Sequence, residues 1–237
     1  MATVTAMHND SNRSPRFNPY RDAHKGLRLL LSELMERAGR TDFSAATELA
    51  RLRAEAHVAF QLLTSHARHE DAFFGPLLEA HCPRVAREID LDHEDQQLKL
   101  RELACVLTSI DALGGDAALR GHDFCVRLAR VAGELLVHMS QEEQLALPAL
   151  WQKLSDDSLR GISAGLLASI PAPERRLWLK CMLRALNQPE RRSLLGRMRA
   201  AMPRAAFDAT LESFRAELED LYEGLVSDLR MLDQAAA

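Results

Sequence analysis

His66-x3-Glu70 recurs in this chain as His138-x3-Glu142, and a proline follows six residues after the carboxylate both times, at Pro76 and Pro148. In a helix, positions i and i+4 lie on one face about a turn apart. An imidazole and a carboxylate so placed can bind the same metal ion, or two ions side by side. With nine histidines and 34 acidic residues in 237, one such pair is expected by chance. The two found here also share the proline and the following apolar pairs, Leu77-Leu78 and Ala149-Leu150, in register. The joint recurrence reads as an internal duplication.

A duplicated unit should carry an earlier half in each copy. His24 and His93 precede His66 and His138 by 42 and 45 residues, each with an aspartate shortly before it (Asp22, Asp92). The constellation is then His24, His66 and Glu70, mirrored by His93, His138 and Glu142. A single ion could take four to six of these groups as ligands. Two ions, each with two imidazoles and sharing both carboxylates, fit the twofold distribution better. Imidazole with carboxylate favours Fe, Mn, Zn or Co over Ca or Mg, and open coordination positions would remain for a small molecule. Di-iron bundles that use Glu-x-x-His place their ligands in the opposite order at i, i+3, so the pattern points to another bundle family.

The elements that must position these groups are helical. Leu27, Leu30, Leu31 and Leu34 recur at helical spacing from about residue 20 to Gly39, where a cap is expected. Thr41-Asp42 offers N-caps for a helix over about 43–74, which Gly75-Pro76 should interrupt. Pro83 opens a third helix carried by Val85, Ile89, Leu98, Leu103, Leu107 and Ile110 and ended by Gly114-Gly115. A fourth runs over about 116–147 and is bent by Pro148. Long helices on short connections imply an all-α, up-down-up-down four-helix bundle over residues 19–155. His24 near the start of one helix and His66 near the end of the next then reach the same height, as do His93 and His138. Residues 1–18, which include His8, read as a disordered arm with Phe17 and Tyr20 as anchors. Pro171, Pro173, Pro189 and Pro203 divide residues 156–237 into shorter helices, expected over about 157–170, 173–187, 189–201 and 204–233. This additional C-terminal helical region is basic from Arg160 to Arg204 and acidic from Phe207 onward, and the simplest reading is that the two stretches face each other or are solvated.

Composition narrows the classes. A net charge of -4 and few aromatics argue against nucleic acid as a partner. No apolar run is long enough to span a bilayer, and the N-terminus has no signal pattern. Cys82, Cys105, Cys125 and Cys181 form no C-x-x-C and read as reduced thiols of a cytoplasmic protein.

The order His, His-x3-Glu, His, His-x3-Glu over four helices resembles the hemerythrin-like (HHE cation-binding) family, over about residues 18–155. The resemblance implies a four-helix bundle with a non-haem di-iron centre. Carried over by position, Glu70 and Glu142 would bridge the irons, His24 and His66 would bind one, His93 and His138 the other, and an oxo or hydroxo group would complete the bridge. Two departures stand out. Oxygen-carrying members have His-x3-His on the third helix where this chain has Gln97, and end with His-x4-Asp where this chain has His138-x3-Glu142. The fifth imidazole is therefore missing, which counts against stable oxygen carriage; an extra water, Gln97 or Glu94 could take its place. Members with the His-x3-Glu pattern look more like sensors of iron, O2 or NO.

The resulting expectation is a di-iron protein that binds or senses O2, NO or iron. The alternative is a di-iron oxidoreductase acting on peroxide or NO. No catalytic acid or base stands out beyond the ligands, so binding is favoured over catalysis. A protein partner or self-association through the C-terminal helices is a further expectation. Of the other candidates, His69 lies about 80° off the His66–Glu70 face and is expected at the surface, and His57 half-buried. His81, His122, Glu94 and Glu143 are expected in solvent. Tyr20, one turn before His24, is a candidate neighbour of the ligands, and Phe73 and Phe74 are expected as core packing that limits access.

Overall fold

The structure is a computed structural model that describes residues 16–235. The first fifteen residues, including His8, lie outside the described residues. The expected end of the arm is tied down: Arg16 bonds to Asp156 and the Leu154 carbonyl, and the Phe17 amide donates to Asp156. Asn18 then accepts from the amides of Tyr20 and Arg21, capping the first helix from two to three residues upstream.

Four long helices form the bundle: α1 (Arg21–Arg40), α2 (Ala46–Phe73), α4 (Pro83–Ser109) and α5 (Ala117–Gln141). The short α3 (Gly75–His81) continues α2 beyond its break. Helix α1 packs on α2 and α5, and α4 on α5 and α2. Leu27, Leu31, Leu34, Leu52, Leu62, Leu103, Leu107, Phe124 and Leu128 fill the bundle interior. Phe43, in the α1–α2 connection, lies on Gly121, where a Cβ would meet the ring at 2.2 Å.

Several boundaries differ from expectation for local reasons. Gly39 lies inside α1, with no left-handed cap. Thr41-Asp42 does not cap α2, whose N-cap is Ala45; Asp42 instead accepts from Ser44 and stabilises the turn before it. Helix α4 ends at Ser109, before the two glycines, because Arg53 from α2 takes the last carbonyls, of Leu107, Thr108 and Ile110. Leu98 is exposed, and the buried face of α4 runs instead through Ala86, His93, Gln96, Leu100, Leu103 and Leu107.

The two duplicated prolines act differently. Each lacks an amide proton and crowds the carbonyl four residues back. Before Pro76 the helix stops at Phe73 and restarts at Gly75. Before Pro148 it widens instead into one π turn, Glu142–Ala146, closed by the Leu147 amide on the Glu142 carbonyl, and α6 (Leu147–Lys153) follows.

The C-terminal helices are α7 (Asp156–Ser169), α8 (Ala172–Ala185), α9 (Gln188–Ala201), α10 (Arg204–Glu212) and α11 (Glu219–Ala235). Ser155 caps α7, and an Asn187/Glu190 capping box opens α9. The single last helix expected over 204–233 is broken at 213–218, where Phe214 and Leu218 turn inward beside Phe207 and Leu211. Helix α8 joins two cores: Trp178 and Cys181 pack into the bundle, while Leu179 and Leu183 belong to the C-terminal core. The close α1–α8 approach requires Gly26, where a Cβ would meet the Cys181 sulfur at 2.9 Å. The basic and acidic stretches do face each other, through Lys180 and Arg176 on Glu217 and Arg191 on Asp228. Among the described residues no helix is long and apolar enough to cross a membrane.

Candidate metal centre

The six sequence-predicted residues come together in one buried layer. Helix α1 contributes His24, α2 His66 and Glu70, α4 His93, α5 His138, and the π turn Glu142. His24 is 0% exposed and Glu142 1%. Their ligand atoms fall into two groups, each with its atoms within 4.8 Å of one another: His24, His66, Glu70 and Glu142, and Glu70, His93, His138 and Glu142. Both carboxylates belong to both groups. Glu70 has one oxygen 3.6 Å from His24 Nε2 and the other 3.2 Å from His66 Nε2 and 3.7 Å from His93 Nε2. Glu142 stands 3.2 Å from His24 with one oxygen and 3.6 and 3.3 Å from His93 and His138 with the other.

Three imidazoles are held from behind. His24 Nδ1 meets Glu143 at 2.7 Å, His93 Nδ1 meets Asp71 at 2.6 Å, and His138 Nδ1 meets Asp92 at 3.3 Å. A carboxylate at Nδ1 keeps the proton there and aims the Nε2 lone pair inward, as in metal-bound histidines. The inner atoms lack protein partners: Glu70 Oε2, Glu142 Oε2, His93 Nε2 and His138 Nε2 are buried without a hydrogen bond. His24 Nε2 and His66 Nε2 face each other at 3.1 Å, an arrangement that needs a proton or a cation between two lone pairs.

The electrostatics agree. Burial and the neighbouring Glu142 charge push the Glu70 carboxyl up to about 8. Burial also opposes the charge of Glu142, but the close imidazoles of His138, His24 and His93 outweigh it and hold this carboxyl well below the usual range. Burial, then the His24 charge, lowers His66. Two carboxylates sharing a dry site resist joint ionisation unless positive charge is supplied. The orphaned atoms and the inward-facing nitrogen–oxygen donor set fit a bound cation.

One route of access is open beside the two carboxylates. A cavity of about 490 Å³ reaches Glu70 and Glu142 between Tyr20, Phe74, Leu78 and Ala86. Tyr20 is buried, stacks on His24 with centroids 5.3 Å apart, and meets Phe74 at the same distance. Phe74 is buried and Phe73 half-buried.

Other sequence expectations need correction. Glu143 is not in solvent; it is half-buried between His24 and Arg28. His69 is buried, because α8 covers that side of α2 and sets Glu174 3.6 Å from its ring. His57 is exposed rather than half-buried. His81, His122 and Glu94 are exposed as expected, and Gln97 is half-buried. The sequence reading missed Asp71 and Trp178 altogether. The signal for the former was present: Glu70-Asp71 and Glu142-Glu143 are the same acidic pair in the two copies.

A helical bundle with a buried, cation-sized set of imidazoles and carboxylates is a metal-binding protein in class. The family model of the hemerythrin HHE cation binding domain matches residues 18–150, more than half of the chain, and the chain belongs to that family. No curated protein and no solved structure matches it in the corresponding comparisons.

Proposed function

We propose that this chain is a cytoplasmic non-haem di-iron protein that binds or senses O2, NO or iron. His24 and His66 would hold one iron, His93 and His138 the other, and Glu70 and Glu142 would bridge them. The observation that carries this reading is the sharing of both buried carboxylates between two overlapping four-residue donor groups. Imidazole with carboxylate suits iron among the common metals. Bound iron would supply a redox-active Lewis acid to a small ligand. The protein's part is to hold and to seal. Asp71, Asp92 and Glu143 keep the Nδ1 protons in place. Tyr20 and Phe74 narrow the approach to a small molecule and keep bulk water from the carboxylates. Gln97 and Glu94 stand outside both donor groups, which leaves a position for an exogenous ligand and suits sensing better than permanent storage.

Freshly purified chain, with no metal added, should contain two irons and absorb in the near ultraviolet by ligand-to-metal charge transfer. Addition of O2 or NO should change that spectrum in stoichiometric proportion. Catalytic consumption of peroxide or NO would instead establish the oxidoreductase reading.

A further inference from the structure

The duplication extends one residue beyond the six donors and then fails at one position. The acid after each bridging candidate reaches the first histidine of the opposite hairpin: Asp71 holds His93, and Glu143 holds His24. Asp92, just before His93, holds His138. The equivalent residue, just before His24, is Ala23. An alanine has no group to offer His66, and no side-chain partner of His66 Nδ1 is found among the described residues. Trp178 of α8 stands there instead, its ring 5.9 Å from the His66 ring and its own Nε1 buried without a partner. Glu143, which holds His24, is shared with Arg28 at 2.9 Å. His66 is also the most open of the four rings, 11% exposed against 2% and 3% for His93 and His138.

Resting on the two-ion reading above, we infer that the two positions are unequal. The His93–His138 position, with both imidazoles held by carboxylates, fills first and keeps its ion. The His24–His66 position fills second, releases first, and is read by the C-terminal region through Trp178. Loss of a carboxylate partner behind a ligating histidine typically weakens metal affinity by about 10- to 100-fold, so the absence of one at His66 is enough to separate two binding steps.

The test is a titration of the stripped full chain with Co2+ under anaerobic conditions, following visible absorption and tryptophan fluorescence together. Co2+ quenches a nearby indole. The first equivalent should raise absorption with little quenching, and the second should quench. Trp178→Phe should remove that quenching while two ions still bind, which assigns it to Trp178 rather than Trp151. Asp92→Ala copies Ala23 into the other half; it should weaken the first step by about 10- to 100-fold and merge the two steps. Asp92 is 46% exposed in its side chain, so the fold should tolerate the change, and an unaltered circular dichroism spectrum would verify it. Quenching complete at the first equivalent, or an Asp92→Ala chain with its first step intact, would overturn the inequality while two bound ions left the di-metal reading standing. Binding of one ion or none by the wild-type chain would sink both.

Discussion

The bundle and the C-terminal region bury polar groups differently. In the C-terminal core, Asp228 is fully buried; its charge is met by Arg191 at 3.1 Å through Oδ2, and Oδ1 alone is left without a hydrogen bond. That core closes on protein groups around Leu183, Leu195, Phe207 and Phe214. The bundle buries three imidazoles and two carboxylates in one layer beside the half-buried His66, supports three of the rings from outside, and leaves the inner faces without protein hydrogen bonds. Side chains organised around a gap in this manner mark a binding centre, whereas a paired internal charge marks architecture. The difference lies in where the hydrogen bonds point, and not in the number of polar groups.

The comparison predicts where the molecule is vulnerable. The largest effect should come from metal removal. With free metal about a thousandfold above its dissociation constant, stripping costs about 4 kcal/mol of stability, concentrated in the bundle. His66→Ala should lose at least the more weakly held ion and lower the melting temperature; unchanged iron content would break the account of the bundle. Next is Arg191→Ala, which strands Asp228 in an apolar core. The loss should be about 3 kcal/mol, the low end for a broken buried pair because Arg191 is partly exposed. Metal content should stay unchanged, and a parallel loss of metal would show that the two cores are not separable in this respect. Gly121→Ala drives a methyl group into Phe43 and should cost about 2 kcal/mol through overpacking, measured by denaturant unfolding.

The smallest effect concerns pH. Hydrogen bonds from Arg176 and then Lys180 hold the exposed Glu217 carboxyl down at about 2. A depressed folded value means that the stabilising contribution is full above the unfolded value of about 4.3 and disappears as pH falls through about 2. Solvent screening keeps it modest. The stability difference between the wild-type chain and Glu217→Gln should therefore be constant at neutral pH and vanish in strong acid. A difference that persisted in acid would mean that the substitution acts through packing.

Much of the centre was legible from spacing alone, because each His-x3-Glu pair lies on one helix and the duplication supplied the rest. The carboxylates behind the rings were harder to read. Glu143, next to Glu142, reaches α1, and Asp71, next to Glu70, reaches α4; such pairings depend on how helices sit against one another, which spacing within one helix does not encode. His69 was misplaced for the same reason. Its angle on α2 points away from the bundle core, and only the covering α8 buries it. The π turn was hidden because Pro76 and Pro148 look alike in sequence while the backbone accommodates them by different routes.

The central claim is that the bundle's buried layer is completed by bound metal held by both shared carboxylates. The most direct measurement is metal analysis of the full chain as purified, with no metal added, beside the Glu70→Ala/Glu142→Ala chain. The account predicts two irons in the first and none in the second. Retention of the same metal by the doubly substituted chain, or no transition metal in the wild-type chain, would contradict it.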